Sequence, residues 1–244
     1  MRLDVRVVEL LGVSRNRAQF FIEHSLIMVE RVVRTKVSYE VTPEMVMSVR
    51  EDPQLWYVSR SAQKLEEFIK YLESIVVAPK MIGVRVLDVG ASTGGFTQVL
   101  LARGVSSVVA VEIGKSQLHT TLRWDTRIES LEQTDIREWD SPEKFSLVVV
   151  DVSFISLRLV LDSILSRMES GGSVILLFKP QFEVKPEDLT RSGVPRTEAI
   201  RLRTLEEFRV YLRSQNIRVI AEAESTLHGE AGNREVLFLI QKDR

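Results

Sequence analysis

Val86-Leu-Asp88-Val-Gly90-Ala-Ser92-Thr-Gly94-Gly95-Phe96 is an apolar strand that runs into a turn of small residues and opens a helix. Small residues let the backbone approach a ligand closely, and the start of a helix presents free N–H groups. Ser92 stands where the second glycine of the G-x-G-x-x-G fingerprint would be, so the dinucleotide pattern is not met. Glu112 ends the next strand, where a carboxylate can accept hydrogen bonds from both ribose hydroxyls of a nucleoside. Asp135, in Gln133-Thr-Asp135-Ile136, would end a third strand near the amino group of a base. Outward from the turn, strands over Val84–Val89, Ser107–Ile113, Leu147–Val152 and Val174–Phe178 alternate with helices. Those helices are expected after Gly94, near Ser116–Leu122 and around Leu157–Met168. This alternation predicts an α/β fold with a mostly parallel sheet covered on both faces. Arg218–Ala223 and Arg234–Gln241 predict a terminal antiparallel hairpin.

The ends of the later strands carry ionisable residues. Asp151 follows Leu147-Val-Val-Val and Lys179 follows Ile175-Leu-Leu-Phe, so each terminates a buried strand; Pro180 then forbids a simple continuation. In an open α/β sheet, ligands bind beyond the carboxyl ends of the strands. Glu235 begins the last strand and lies at the same edge if that strand is antiparallel. Neighbouring strands are about 4.8 Å apart, so adjacent placement would cluster the three side chains. A helix over Arg60–Ser74 puts Leu65, Phe68, Ile69 and Leu72 on one face, and Lys64 flanks that stripe as a partly buried lysine. Any one of these residues alone reads equally well as a cap or a salt bridge. Two lysines and two carboxylates converging by independent routes favour a functional site.

Composition removes several chemistries. The 244 residues contain no cysteine, which excludes a disulfide scaffold, a cysteine zinc site and a cysteine nucleophile. The three histidines, His24, His119 and His228, are far apart, so no metal centre is expected. The longest apolar stretch, Ser146–Leu165, is interrupted by Asp151, Arg158 and Asp162, short of the about 20 apolar residues of a membrane span. The opening Met1-Arg-Leu-Asp-Val lacks a signal-peptide pattern, and a soluble, cytoplasmic protein is the expectation.

The front of the chain has a different texture. Two short helices are expected over 3–11 and 14–24, with Ser14 as N-cap, followed by short strands over Leu26–Val33 and Lys36–Val41. Met45–Val49 fits another strand or a helical turn, and Asp52-Pro53 breaks the pattern. The predicted organisation is a small α+β module over 1–52, a linker over 53–59 and the α/β domain over 60–244. The net charge of −1 hides a basic front, with Arg2, Arg6, Arg15, Arg17, Arg31, Arg34 and Lys36 against Asp4, Glu9, Glu23 and Glu30. A second basic cluster runs from Arg191 to Arg218. Charge alone supports nucleic-acid binding only weakly, because solvated helical faces look the same.

The turn at Asp88–Gly94 fits the loose D-x-G-x-x-x-G pattern of S-adenosylmethionine (SAM) enzymes. Together with Tyr57-Val-Ser59-Arg60, Lys64-Leu65, Asp151-Val-Ser-Phe-Ile-Ser156, Lys179-Pro-Gln-Phe-Glu183 and Gly232-Asn-Arg-Glu235, it resembles the TlyA family. These are ribosomal RNA 2′-O-methyltransferases, often called hemolysins, built on an FtsJ-like domain behind an S4 RNA-binding module. Arg2-Leu-Asp4, Ser14-Arg15 and Arg17-Ala18 resemble that module. An Asn-Gly hairpin turn is usual there where this chain has Glu30-Arg31, and a glycine is usual at Ser25. Asn-Gly favours the positive φ of a tight hairpin and Glu-Arg does not, so a distorted hairpin is expected.

The resemblance implies a Rossmann-like SAM-dependent methyltransferase with a catalytic tetrad of Lys64, Asp151, Lys179 and Glu235. It implies SAM held by Asp88, Gly90, Ala91, Ser92, Thr93, Gly94, Gly95, Phe96, Glu112, Ile113, Asp135, Ile136 and Asp151. Arg2, Arg15, Arg17, Lys36 and Arg60 become candidate phosphate contacts, the partners being ribosomal RNA or ribosomal subunits, with no membrane insertion. A free lysine is a poor base at neutral pH; burial and a second cation both disfavour its ammonium form. Lys179 is therefore assigned as base, with Lys64 tuning it and touching the target hydroxyl, Asp151 orienting Lys179 and Glu235 positioning Lys64. The two lysines are interchangeable at this stage. A cytolysin, a SAM-binding RNA-binding protein without catalysis and a small-molecule methyltransferase are the competing readings.

Overall fold

A computed structural model describes residues 1–23, 25–49 and 57–242 of the protein. The chain divides into two compact units, residues 1–56 and 57–244. The expected break at Asp52-Pro53, residues 53–56 of the expected linker and the last residue of the expected second helix lie outside the described residues.

The first unit comprises α1 (Leu3–Leu11), α2 (Arg15–Glu23) and three short strands, β1 (Ile27–Val29), β2 (Val32–Val33) and β3 (Met47–Val49). They form an antiparallel sheet in the order β2-β1-β3. Leu3 and Val7 of α1 and Ala18, Phe21 and Ile22 of α2 pack with Ile27, Val29 and Val41 as its core. Three expectations are corrected here. Leu26–Val33 is not one strand but two, β1 and β2, joined by a turn at residues 30–31. Lys36–Val41 is not a strand; it turns at 37–38 and contributes a single bridge, Arg2 to Glu40. The hairpin is not distorted either. Val29 pairs with Val32, and the two residues between them, Glu30 and Arg31, take φ of 51° and 64°. That pair of positive angles is what a tight two-residue turn needs. Glu30 is tied to residue 46 twice: its N–H donates to the Val46 carbonyl (2.8 Å), and its carboxylate accepts the Val46 N–H (2.5 Å). Ser25 likewise adopts φ 62° where glycine was the expectation.

The second unit begins with α3 (Arg60–Ser74) and continues β4 (Arg85–Val89), α4 (Gly95–Ala102), β5 (Ser107–Glu112), β6 (Ile128–Glu132) and β7 (Phe145–Val150). Then come α5 (Leu161–Ser166), β8 (Met168–Phe178), α6 (Glu198–Ser214), β9 (Ile217–Glu224) and β10 (Val236–Lys242). The sheet order is β6-β5-β4-β7-β8-β10-β9. Strands β4 to β8 are parallel, and β10 is antiparallel to both β8 and β9. Strand alternation sends Val86, Val108, Leu147 and Ile175 toward Leu65, Phe68, Ile69 and Leu100 on α3 and α4. Leu87, Val148, Leu176 and Phe238 face Leu161, Ile164, Phe208 and Leu212 on α5 and α6. With both faces covered, the strands read as continuous apolar runs. The helix expected near Ser116–Leu122 is absent. The Glu132 carboxylate accepts the N–H groups of Ser116, Gln117 and Leu118 and holds that stretch in turns instead.

Two features of this sheet position the site. Val89 of β4 is in register with Val150 of β7, so Gly90 and Asp151 emerge side by side. Val236 of β10 pairs with Phe178 of β8, so Glu235 and Lys179 lie at the same edge.

Candidate active site

The turn after β4 is built around close approach. Gly90 has φ 79°, and a Cβ there would stand 2.7 Å from the Asp151 carbonyl oxygen. A Cβ on Gly95 would meet the Ser59 hydroxyl oxygen at 2.1 Å and that of Ser61 at 2.4 Å, so glycine brings the starts of α3 and α4 together. Ser92 takes φ 47°, and its N–H donates to Glu112 Oε2 (2.9 Å), while Glu112 Oε1 accepts the Gly114 N–H (2.7 Å).

A hollow of about 570 Å³ opens between this turn and the ends of β5 and β7. Gly90, Ser92, Glu112, Ile113, Asp135, Ile136 and Asp151 line it, together with Gln117, Thr134 and Arg137. Ile113 is 69% exposed above it, and Asp135 is paired with Arg137 at 2.5 Å, whose hydrogen bond holds the carboxyl below the usual range. The remaining residues of the predicted cofactor set do not face this hollow. Ala91 and Phe96 are core residues, and Gly94 and Gly95 support the turn from behind. Thr93 faces the neighbouring hollow. Asp88 is wholly buried, and its Oδ2 accepts a 2.6 Å hydrogen bond from the Thr97 hydroxyl. Burial, reinforced by the nearby Asp151 and Glu112 charges, pushes the Asp88 carboxyl up to about 7 against that hydrogen bond. This hydrogen bond ties the end of β4 to α4 across the turn.

A second hollow, about 560 Å³, contains the whole tetrad. Lys64 projects from α3 and donates to the Glu235 carboxylate, with both side chains nearly buried. Lys179 Nζ lies 2.7 Å from Asp151 Oδ1 and donates to the Ser153 hydroxyl oxygen at 2.8 Å. Ser92, Asp151, Ser153 and Phe154 line both hollows, so the Lys179–Asp151 pair stands where the two meet.

Sequence reasoning selected the charged members and passed over their neighbours. Phe154 is 89% exposed, adopts φ 63° and sets its ring 5.2 Å from that of Phe182. Lys179 Nζ lies 5.9 Å above the Phe182 ring, and Gln181 also lines the second hollow. A signal was available. Asp151-Val-Ser-Phe and Lys179-Pro-Gln-Phe each place a phenylalanine three positions after an ionisable strand-end residue.

The candidate phosphate contacts separate into two groups. Arg2 and Arg15 are held by the Asp4 carboxylate at 3.0 and 2.9 Å. Burial alone would raise the Asp4 carboxyl, but hydrogen bonds from Arg2, Arg15 and Gln19 outweigh it and hold it well below the usual range. Among the described residues Lys36 and Arg60 have no ion-pair partner, and Arg60 lines the second hollow. The Arg17 side chain lies outside what is described. Among the described residues, no helix is long and apolar enough to cross a membrane.

A seven-strand sheet with one antiparallel strand inserted near its end, a small-residue turn and an acidic strand end define a Rossmann-like methyltransferase domain. The chain belongs to the TlyA family of FtsJ-like methyltransferases: the FtsJ-like methyltransferase family matches residues 57–242, and the S4 domain matches residues 1–47. It is 35% identical to the 16S/23S rRNA (cytidine-2′-O)-methyltransferase TlyA of Mycobacterium tuberculosis, over 100% of this chain and 91% of that protein. It is 32% identical to Hemolysin A of Brachyspira hyodysenteriae, over 97% of this chain and 98% of that one. A solved structure from Streptococcus thermophilus, provisionally described as a hemolysin, matches with a TM-score of 0.72 at 30% identity. It covers 99% of this chain and 88% of its own.

Proposed function

We propose that the protein transfers the methyl group of SAM to a ribose 2′-hydroxyl of ribosomal RNA. The observation that carries this is the meeting of the two hollows at Asp151 and Ser153, with Lys179 paired to both. The residues of the first hollow suit SAM. Glu112 offers carboxylate oxygens for ribose hydroxyls, Ile113 and Ile136 offer apolar surface for a base, and Gly90 lets the turn pack against the Asp151 backbone at the hollow's edge. When bound, SAM supplies an electrophilic methyl on a sulfonium. As the base, Lys179 accepts the hydroxyl proton at Nζ, and Asp151 and Ser153 hold the resulting ammonium. Lys64, fixed by Glu235, donates to the hydroxyl oxygen and orients it.

The 2′-hydroxyl distinguishes RNA from DNA, and unstacked RNA bases dock on aromatic rings. The exposed Phe154 ring, paired with half-buried Phe182, and Arg60, which has no ion-pair partner among the described residues, suit such a substrate at the second hollow. The relative from Mycobacterium tuberculosis, which acts on ribosomal cytidines, supports ribosomal RNA as the acceptor.

The test is transfer of labelled methyl from SAM to unmodified ribosomal subunits, naked ribosomal RNA and a no-RNA control. Label in RNA, alkali-resistant at one linkage, is expected. Lys179→Ala is expected to lower transfer by roughly 10²- to 10⁴-fold while leaving SAM affinity within a few-fold. Near-normal turnover by that variant would end the assignment of Lys179, and label in no RNA would end the proposal.

A further inference from the structure

Two loops meet along one side of the second hollow: residues 151–157 after β7 and residues 179–183 after β8. Three contacts lay them side by side. Lys179 Nζ donates to Ser153 Oγ, the Phe154 and Phe182 rings pair, and Glu183 closes the far end. The Glu183 side chain is only 2% exposed. Its Oε2 accepts the Ser156 hydroxyl at 2.7 Å, and its Oε1 accepts the Leu157 N–H at 2.7 Å. One carboxylate thus takes donors from two successive residues of the opposite loop.

The anchorage continues into the domain. Arg158 Nε lies 3.8 Å from Glu183 Oε2, and the Arg158 guanidinium sits 5.4 Å from the Tyr211 ring on α6. The Tyr211 hydroxyl donates to the Arg158 carbonyl at 3.3 Å. Burying a carboxylate is costly unless hydrogen bonds and a cation compensate it, and here burial does push the Glu183 carboxyl up. A loop tie achieved with apolar residues would avoid that cost. Between the two ends of the tie, Phe154 is held in the left-handed region at φ 63°, a conformation that persists only where the surroundings fix it.

We propose that Glu183 is a positioning residue for methyl transfer: its two hydrogen bonds lock loop 151–157 against loop 179–183, and so set Lys179 relative to Asp151 and Ser153. This rests on the reading of Lys179 as the proton acceptor. Glu183 touches neither hollow, so its effect passes through the pair it aligns.

The test measures kcat, KM for RNA and SAM affinity of the full chain in Glu183→Ala, Glu183→Gln and Lys179→Ala. Misplacing a reacting group by about 1 Å can cost about 100-fold, so Glu183→Ala is expected to lose about 10- to 100-fold in kcat. Its SAM affinity is expected to stay within about twofold, because the first hollow is built on other residues. Glutamine keeps an acceptor for the Leu157 N–H and can donate to Ser156, so Glu183→Gln is expected to recover most of the kcat. The clamp is overturned by a Glu183→Ala enzyme with normal kcat, by a glutamine variant no better than alanine, or by SAM affinity falling in step with kcat. An active Lys179→Ala beside an impaired Glu183→Ala would overturn both the base assignment and the object of the clamp. A dead Lys179→Ala beside a normal Glu183→Ala would remove the clamp alone.

Discussion

The turn at Glu30–Arg31 and the turn at Gly90–Gly95 solve the same backbone problem in different ways. Both need positive φ. In the first, two ordinary side chains accept it, at φ 51° and 64°, because Arg31 at the hairpin tip is exposed. In the second, Gly90 at φ 79° has no room for a Cβ, which would stand 2.7 Å from a backbone oxygen. Ser92, two residues on, takes φ 47° without being glycine. The difference is one of space. Torsional strain in the left-handed region costs a non-glycine residue about 1–2 kcal/mol and can be offset locally, as Glu30 does through residue 46 and Glu112 does at the Ser92 N–H. A backbone clash has no such remedy, because neither β4 nor β7 can move without breaking the sheet.

The sharpest way to break this comparison is Gly90→Ala. Strain and overpacking together are expected to cost about 2–5 kcal/mol of stability, with SAM affinity reduced at least about tenfold. Thermal unfolding and calorimetric titration check both quantities, and an unchanged pair of values would show that the turn yields more easily than its packing implies.

Asp88, directly below the turn, gives a smaller and pH-dependent effect. Its carboxyl is raised in the folded chain to about 7 from the ordinary 3.8 of a solvated aspartate. The folded state therefore binds more protons than the unfolded one between those values. The stabilisation is fully present below pH 4 and is lost as pH rises through about 7. Asn at this position keeps an acceptor for the Thr97 hydroxyl and removes the ionisation. Asp88→Asn is expected to stabilise the protein at pH 8 by roughly 1–4 kcal/mol relative to its effect at pH 4. Parallel unfolding curves for the variant and the parent across that range would rule out a raised Asp88.

The smallest effect is expected at the front. Arg31→Gly removes strain where there is no clash to relieve and should stabilise the first unit by about 1 kcal/mol, less whatever the freer unfolded chain takes back. Slower amide exchange of Val29 and Val32, with SAM binding unchanged, is the expected outcome. Faster exchange would mean that the arginine itself holds the hairpin.

The two turns also explain what was visible before the structure. The glycine turn was legible because close approach demands glycine and leaves a spaced pattern. The front hairpin is not legible in the same way, because Glu30-Arg31 adopts the turn conformation without the Asn-Gly pair that signals it. The Ser116–Leu122 helix failed for a related reason: three N–H groups that a helix would leave unpaired at its start find the Glu132 carboxylate, which joins the segment only through the sheet. The pairing of Arg2 and Arg15 through one buried carboxylate, Asp4, is likewise absent from the local pattern, although both arginines remain about half exposed.

Sequence alone determined the alternation of strands and helices, the small-residue turn, and the ionisable residues at the ends of apolar runs. These are local properties, written in periodicity and in the residue types that the backbone tolerates. Which carboxylate meets which lysine was decided by tertiary structure. Lys64 reaches Glu235 because α3 packs on the sheet while β10 runs antiparallel to β8, with Val236 opposite Phe178. The same structure buries Asp88, aligns Phe154 with Phe182 and lets Glu183 tie two loops together. Each depends on register between segments far apart in the chain, and register is a property of how the strands and helices pack against one another.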